Sequence, residues 1–171
     1  MDLQPTLENE LVSIRPMENG DLEALYRAAK DPAIWEQHHS NRHLKAEFKT
    51  FFAESIKSNG ALVILDKQTG EIIGSSRFKS FDEFSNQVEI GWTFLSRKYW
   101  GGKYNMSVKN LMIGHAFKYA DYVIFFVNKH NLRSQKAIEK IGGAQIQESE
   151  YWKYPKTSID SLTFVIKRKP T

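Results

Sequence analysis

A turn at residues 97–105, RKYWGGKYN, carries two adjacent glycines and three cationic side chains, Arg97, Lys98 and Lys103. In a glycine-rich turn that opens a helix, the backbone N–H groups and the positive end of the helix dipole attract anions such as phosphate. The residue order is neither that of a Walker-type loop, because no serine or threonine follows Lys103, nor GxGxxG. Taken alone, the turn is either an anion-binding loop or simply a tight turn.

Histidines are a second group of residues that could do chemistry, and three of them lie close together at His38, His39 and His43. Their HHxxxH spacing has no accompanying carboxylate motif, so we expect no metal site. His115 lies on the apolar side of a predicted helix, and we expect it to be a hydrogen-bonded core residue.

Length and composition favour one globular domain over residues 1–171, because 41% of the residues are hydrophobic and 13% are aromatic. The chain has no cysteine, which excludes disulfides, thiolate metal sites and a cysteine nucleophile. The amino terminus lacks a secretory pattern and no apolar run reaches the roughly 18 residues of a membrane span, so we expect a cytoplasmic protein without a membrane partner. The net charge of +4 comes mostly from scattered cations, so no nucleic-acid partner is expected; such a binder would show strong salt dependence.

The apolar periodicity predicts a mixed order of strands and helices around the glycine turn. The turn KQTG joins two predicted strands of an antiparallel hairpin, and a strand–helix–strand unit follows. This order is typical of an α/β sheet with antiparallel strands at one side. The predicted strands are 11–16, 61–66, 71–78, 86–95, 122–127, 144–152 and 161–167, and the predicted helices are 19–30, 44–58, 105–119 and 132–141.

Three motifs together resemble the GCN5-related N-acetyltransferase (GNAT) family, and in particular the subgroup of ribosomal-protein N-terminal acetyltransferases. They are the opening LVSIRPMENGDLEAL, the strand QVEIGWTFL that leads into the glycine turn, and the late helix NLRSQKAIEKIGG. The resemblance implies the acyl-CoA N-acyltransferase fold, a mixed sheet with splayed central parallel strands flanked by helices. It also implies transfer of an acetyl group from acetyl-CoA to a primary amine, without a metal.

The sequence departs from the family pattern at several positions. Lys103 and Asn105 stand where the family loop has its later small residues, although Gly101 and Gly102 could supply the close backbone approach. Ile138 replaces a tyrosine that many members carry, and Gly143 replaces an aromatic residue.

The resemblance also implies which residues hold acetyl-CoA. The pantetheine arm would lie between strands 88–95 and 122–127, a backbone N–H near Thr93 or Phe94 would stabilise the oxyanion, and the diphosphate would lie over residues 97–104. Asn131 would contact the pantetheine or the backbone at the splay. The implied cofactor-binding residues are Thr93, Phe94, Leu95, Arg97, Lys98, Trp100, Gly101, Gly102, Lys103, Tyr104 and Asn131.

Two residues are candidates for proton transfer. Alternation along the strand places Glu89, Gly91 and Thr93 on one face, and Glu89 is the predicted base for an amine that is mostly protonated at neutral pH. The alternative is a glutamate paired with a neighbour on the next strand. Ser134 is the predicted acid for the departing thiolate, and the alternative is an ordinary helix-start serine.

The sequence does not determine the acceptor amine or the oligomeric state. We expect His38, His39 and Trp35 on the substrate side. Protein N-terminal α-amines fit the subgroup, whereas polyamines, aminoglycosides or amino acids fit the acidic residues Asp82, Glu83 and Glu89. An acyl-CoA-binding module without turnover is the alternative to an enzyme, and a homodimer is one option for the assembly.

Overall fold

The computed structural model describes residues 1–80, 86–150, 153–154 and 159–170. Its frame is a mixed sheet flanked by helices. The strands are β1 Leu7–Glu8, β2 Val12–Pro16, β3 Ala61–Asp66, β4 Ile72–Ser80, β5 Gln87–Leu95, β6 Tyr122–Asn128, β7 Ala144–Gln145 and β8 Ser161–Lys167. The helices are α1 Leu22–Ala29, α2 Lys45–Lys57, α3 Lys103–Ala116 and α4 Leu132–Lys140.

The eight described strands follow the order β1-β2-β3-β4-β5-β6-β8-β7. Neighbouring strands are antiparallel except for β5 and β6, which are parallel and connected through α3. The predicted hairpin is confirmed as β3 and β4. The prediction of a mixed α/β sheet is therefore confirmed, but antiparallel strands lie on both sides of the parallel pair and not at one side only.

Helices cover both faces of the sheet. Phe48, Phe51 and Phe52 of α2 pack with Leu25 of α1 on one face, as their spacing predicts. Val108 and Met112 of α3 pack on the other face, in the cluster that also contains Ile138 of α4. Burial of each large apolar side chain stabilises the folded state by about 1.5–3 kcal/mol. These two apolar layers therefore fix the positions of β5 and β6, which lie between them.

The structure corrects two of the predicted elements. Tyr119 lies beyond the end of α3 and is 54% exposed, so it is not part of the apolar face. The predicted strand 144–152 is wrong in length, because β7 ends at Gln145 and a 3₁₀ turn occupies Glu148–Glu150. Few apolar residues follow Ile146 to hold a longer strand against β8, and residue 152 lies outside the described ranges.

Three further predictions concern a core histidine, membrane-spanning helices and two acidic residues. His115 is 7% exposed and its Nε2 lies 2.8 Å from the Asp2 carbonyl oxygen, which confirms a hydrogen-bonded core histidine. Across the described ranges, none of the helices has the length and apolarity needed to cross a bilayer. Asp82 and Glu83, which sequence reasoning related to the acceptor, lie outside the described residues.

Candidate active site

The two central strands diverge after a short paired segment. The parallel register contains Gln87↔Tyr122, Val88↔Val123 and Glu89↔Ile124, although β5 continues to Leu95. The predicted splay is therefore confirmed, and it begins at Glu89. Beyond that point the edge of β5 that faces β6 has no strand partner among the described residues, so an extended ligand arm could form hydrogen bonds there.

A β-bulge in β5 lies within the splayed segment. Arg77 is opposite Gly91 and Ser75 is opposite Phe94, so Ser76 faces two residues, Trp92 and Thr93. Trp92 adopts a φ of 53°, which is the left-handed region. A bulge inserts one residue and reverses the alternation of side chains beyond it.

The bulge overturns one prediction about the site. Trp92 packs with the α1–α2 cluster, whereas the hydroxyl of Thr93 accepts a hydrogen bond from Lys109 of α3. Thr93 therefore lies on the opposite face from Glu89, and the predicted sharing of one face is wrong. The backbone of Thr93 still lies on the open side of the splay.

Lys109 is a buried cation beneath the bulge that sequence reasoning missed. It is 5% exposed, its Nζ lies 2.6 Å from Thr93 Oγ1, and it lies 5.2 Å from the ring of Phe125 on β6. Burial lowers the pKa of Lys109 to about 7. Lys109 lies three residues before Met112, on the stripe of α3 that contacts the sheet. This spacing was the sequence signal that could have predicted its burial.

Glu89 occupies a confined site on the α1–α2 face. It is 6% exposed, and a Cβ at position 91 would lie 3.1 Å from its Oε1, so Gly91 leaves room for the carboxylate. Burial raises the pKa of Glu89 to about 7, against the opposing charges of Lys79 and Arg77. Lys79 is directly opposite Glu89 in the register, but no ion pair within 4.0 Å forms among the described residues. A carboxyl that titrates near neutrality suits a general base.

The glycine turn leads into α3 without a side-chain cap. Gly101 has a φ of 69°, and Gly102 is the N-cap residue of the 14-residue helix, with no side-chain hydrogen bond to the first turn. The first N–H groups of α3 are therefore available to an anion.

The cations of the turn are not equally available. Arg97 pairs with Asp31 at 2.8 Å and Lys98 pairs with Glu71 at 3.8 Å. Among the described residues, no carboxylate lies within 4.0 Å of Lys103. The two ion pairs are largely exposed and therefore weak, so both side chains could reorient towards a phosphate.

Aromatic side chains brace the turn from the interior. The indole N–H of Trp100 donates to the Leu95 carbonyl at 2.9 Å, and the Tyr104 hydroxyl lies 3.3 Å from Asp66 Oδ1. Phe94 is 6% exposed, and its ring centroid lies 5.2 Å from that of Trp35. Packing is the observed role of these side chains, while their backbone borders the splay.

The start of α4 lies beyond the carboxyl end of β6, next to the turn that follows β5. Asn131 caps α4, since its Oδ1 accepts a hydrogen bond from the Ser134 backbone N–H at 3.1 Å. Ser134 is therefore not the cap, and no hydrogen-bond partner of its hydroxyl occurs among the described residues. Arg133 stacks 3.9 Å from the Trp100 ring centre and donates to the Ile34 carbonyl at 2.8 Å, which links α4 to the turn.

The predicted substrate-side residues lie in the loop between α1 and α2. Trp35 is 5% exposed and donates its indole N–H to the Ala29 carbonyl, so it is mainly a core residue. His38 accepts a hydrogen bond at Nδ1 from the Ser40 backbone and stacks on His39 at 4.5 Å. Burial, with the charge of Arg42, lowers the pKa of His38 to about 4, so this imidazole is neutral. The described part of the chain contains no group of three metal-ligating side chains.

A cleft of about 250 Å³ opens beside β4 and β5. Its lining is cationic and aromatic, and it consists of Ser58, Arg77, Phe78, Lys79 and Trp92. Arg77 and Lys79 share the face of Glu89 because they are opposite Gly91 and Glu89 in the register. The site thus combines a splay, an uncapped helix start, a buried carboxyl and an adjacent cleft.

Comparison with known proteins gives one family match. The family model described as acetyltransferase (GNAT) domain matches residues 12–144. No curated protein sequence matches the chain.

Solved structures with low sequence identity share the fold. A GCN5-related N-acetyltransferase from Brucella melitensis superposes with a TM-score of 0.79 at 15% identity, over 96% of this chain and 79% of that one. An acetyltransferase from Agrobacterium tumefaciens str. C58 has a TM-score of 0.75 at 22% identity, over 96% and 95% of the chains. A "putative ribosomal-protein-serine acetyltransferase" from Vibrio cholerae has a TM-score of 0.77 at 15% identity, over 98% and 100% of the chains.

Proposed function

The chain belongs to the acetyltransferase (GNAT) family, and on that premise we propose that it transfers the acetyl group of acetyl-CoA directly to a primary amine. The observation that carries this proposal is the position of Glu89. It is a buried carboxyl at the last paired position of β5 and β6, and Lys79, which is opposite it on β4, lines the cleft.

The residues around the splay fit acetyl-CoA. The unpaired edge of β5 suits an extended arm, and the uncapped start of α3 with Gly102 and Lys103 suits a diphosphate. Arg97 and Lys98 could add charge by leaving their exposed carboxylate partners. Acetyl-CoA supplies the activated thioester, and the chain supplies position and proton transfer.

Glu89 acts as the general base in this proposal. It accepts a proton from the incoming amine, directly or through a water molecule, while the new C–N bond forms and the C–S bond breaks. An alkylamine with a pKa near 10.4 is mostly protonated at neutral pH and cannot attack in that form. A carboxyl whose pKa is about 7 is half ionised there and can take the proton.

Two other groups complete the chemistry. A backbone N–H near Thr93 or Phe94 donates a hydrogen bond to the carbonyl oxygen as negative charge develops on it. Ser134 passes a proton to the departing sulfur and takes one from a water molecule in the same step, so that no serine alkoxide is left. Its hydroxyl has no competing partner among the described residues. Asn131 holds the start of α4, and thereby Ser134, at the carboxyl end of β6.

The acceptor class follows from the resemblance to the ribosomal-protein N-terminal acetyltransferases. An N-terminal α-amine, which this resemblance implies, is one proposed acceptor, and a small-molecule amine is the other. Acetyl-CoA and such acceptors are both available in the cytoplasm, where we propose that the protein acts.

The test is release of free CoA thiol from acetyl-CoA across a panel of peptide and small-molecule amines, followed by mass identification of the acetylated product. We expect amine-dependent thiol release and one acetyl group per acceptor. Thermal stabilisation by acetyl-CoA without thiol release for any amine would instead support an acyl-CoA-binding module. Neither stabilisation nor turnover would refute the proposal.

A further inference from the structure

We infer that the cleft beside Glu89 binds an anionic group of the acceptor, so that the substrate is an amine that also carries a carboxylate. The inference rests on the proposed amine acetylation and adds the chemistry of the acceptor. It starts from Arg77 and Arg42, two guanidinium groups that none of the proposed catalytic steps uses.

Arg77 is held rigidly in the wall of the cleft. It is 8% exposed, its terminal nitrogen donates to Ser55 on α2, and its guanidinium lies 4.4 Å from the Trp92 ring centre. Its Nε is buried and has no hydrogen-bond partner in the part of the chain that the structure describes. A buried donor without a partner is costly, and an acceptor atom supplied by a ligand would remove that cost.

Arg42 brings a second positive charge to the same face. Its guanidinium lies 4.2 Å from the Phe51 ring centre and 5.5 Å from that of Trp35. Burial, and then the charge of Arg77, lowers the pKa of Arg42 to about 10, as expected for two neighbouring cations in a poorly solvated region.

No anion of the described chain neutralises this pair directly. Glu54 attracts both guanidinium groups, but no carboxylate of the described residues lies within 4.0 Å of either one. Lys79, which is exposed, adds a third cation to the cleft. Glu89 is about half ionised near pH 7, so it offsets only part of the positive charge of these three cations.

The arrangement matches an amine with an attached carboxylate. Arg77 is opposite Gly91, two residues along from Glu89, so Arg77 and Glu89 are diagonal neighbours whose Cα atoms are roughly 7–8 Å apart and whose Cβ atoms are somewhat closer. The amine can then lie at Glu89 while its carboxylate meets the guanidinium, whose planar donors suit bidentate contact. A polyamine or an aminoglycoside would place further positive charge against Arg77, Arg42 and Lys79, which disfavours both classes.

The experiment measures acetylation of matched acceptor pairs by the wild-type protein. The pairs are L-alanine, β-alanine and γ-aminobutyrate, each against its carboxamide. A dipeptide amide with glutamate at its second position, against the glutamine version, tests a peptide source of the carboxylate. Phosphoethanolamine against ethanolamine tests a phosphate. Binding of the same probes is measured by calorimetry, so that recognition is separated from turnover.

We expect at least one carboxylate acceptor to exceed its amide in kcat/KM and in affinity by roughly ten- to a hundredfold, the loss expected for one hydrogen bond to a charged group. Arg77→Gln should abolish the preference while changing the amide much less, and Arg77→Lys should restore part of it. Arg42→Gln should reduce it less, because Arg42 is not in the cleft wall. Arg168→Gln, an exposed arginine that pairs with Asp121, is the control and should leave the preference unchanged.

Several outcomes would overturn the inference. Equal kcat/KM for each acid and its amide would do so while leaving amine acetylation intact, and a preference for polyamines would do the same. A preference for phosphoethanolamine over every carboxylate would overturn the carboxylate assignment. If Arg77→Gln and Arg77→Lys lower activity equally for acids and amides, together with the melting temperature, Arg77 is a structural residue only.

Discussion

The side-chain nitrogen of Lys109 lies 2.6 Å from the Thr93 hydroxyl oxygen, in a site where no carboxylate of the described residues lies within 4.0 Å. Thr93 in turn shares a hydrogen bond with Ser76 Oγ at 2.7 Å. A buried cation that has only a neutral partner destabilises the folded state relative to an apolar side chain.

Replacement of this lysine should therefore stabilise the protein in a pH-dependent way. The pKa of Lys109 is about 7 in the folded state and near 10.4 in the unfolded chain, so the unfolded state binds more protons between these values. Wild-type stability attributable to this group rises with pH across that window. Lys109→Met should raise the free energy of unfolding by on the order of a few kcal/mol at pH 6 and least at pH 10, and the melting temperature should rise accordingly.

The control for Lys109→Met is Lys118→Met, which changes an exposed lysine just beyond α3. Melting curves from pH 6 to pH 10 decide the outcome. A Lys109→Met protein that is less stable than the wild type at every pH would show that the hydrogen bond to Thr93 outweighs the cost of burying the charge.

Glu89→Gln tests the base. Wild-type kcat/KM should rise with pH and level off above about 7, because the carboxylate form is needed. The variant should lose roughly a hundredfold near neutral pH and recover part of it at higher pH, where more free amine is present. Steady-state thiol release from pH 6 to pH 10 measures both curves. Identical profiles for the two proteins would leave Glu89 without a catalytic role.

Glu89→Gln should also change stability with a defined sign. The folded-state pKa of Glu89 is raised, so the folded state binds more protons than the unfolded state between about 4.3 and 7, and wild-type stability falls as pH rises through that window. The variant, which cannot ionise, should be the more stable protein above pH 7. Lower stability of the variant at pH 8 would contradict this account of the buried carboxyl.

Substitution by valine should have different effects on CoA affinity and stability at the two glycines of the turn. Gly102 has a φ of −116°, and a Cβ there would meet only the Trp100 carbonyl oxygen, at 4.0 Å, so Gly102→Val should fold normally and weaken CoA binding by obstructing the backbone. Gly101 has a φ of 69°, so Gly101→Val should lower stability by roughly 1–2 kcal/mol. Calorimetric CoA titration and melting curves separate the effects. An unchanged CoA affinity in Gly102→Val would place the diphosphate elsewhere.

Variants of Ser134 and Asn131 distinguish a role in proton transfer from a role in helix capping. Ser134→Ala should keep CoA affinity within about threefold while kcat falls roughly ten- to a hundredfold, a loss of about 1.4 to 2.7 kcal/mol. Its melting temperature should stay close to that of the wild type, because Asn131 is the cap. Asn131→Ala should instead cost about 1 kcal/mol of folding stability. Full kcat in Ser134→Ala would exclude it as the acid.

Local patterns in the sequence determined the framework of the protein. Apolar periodicity and breakers predicted the order of the helices and most strands, since both depend on residues close in sequence. The same local information predicted the glycine turn before α3 and the Asn131–Ser134 start of α4, because caps and turns are formed by a few consecutive residues.

Only the tertiary structure decided how the side chains of the site are oriented and which of them meet. The bulge at Trp92 arises from pairing between β4 and β5, so strand alternation alone placed Thr93 on the wrong face. Arg42 comes from a loop and Arg77 from a strand, and packing of α2 on the sheet brings their charges close together. The burial of Lys109 and the point at which β5 and β6 part likewise depend on contacts between elements that are distant in sequence. Periodicity reports the local backbone, whereas desolvation, register and charge proximity are properties of the packed molecule.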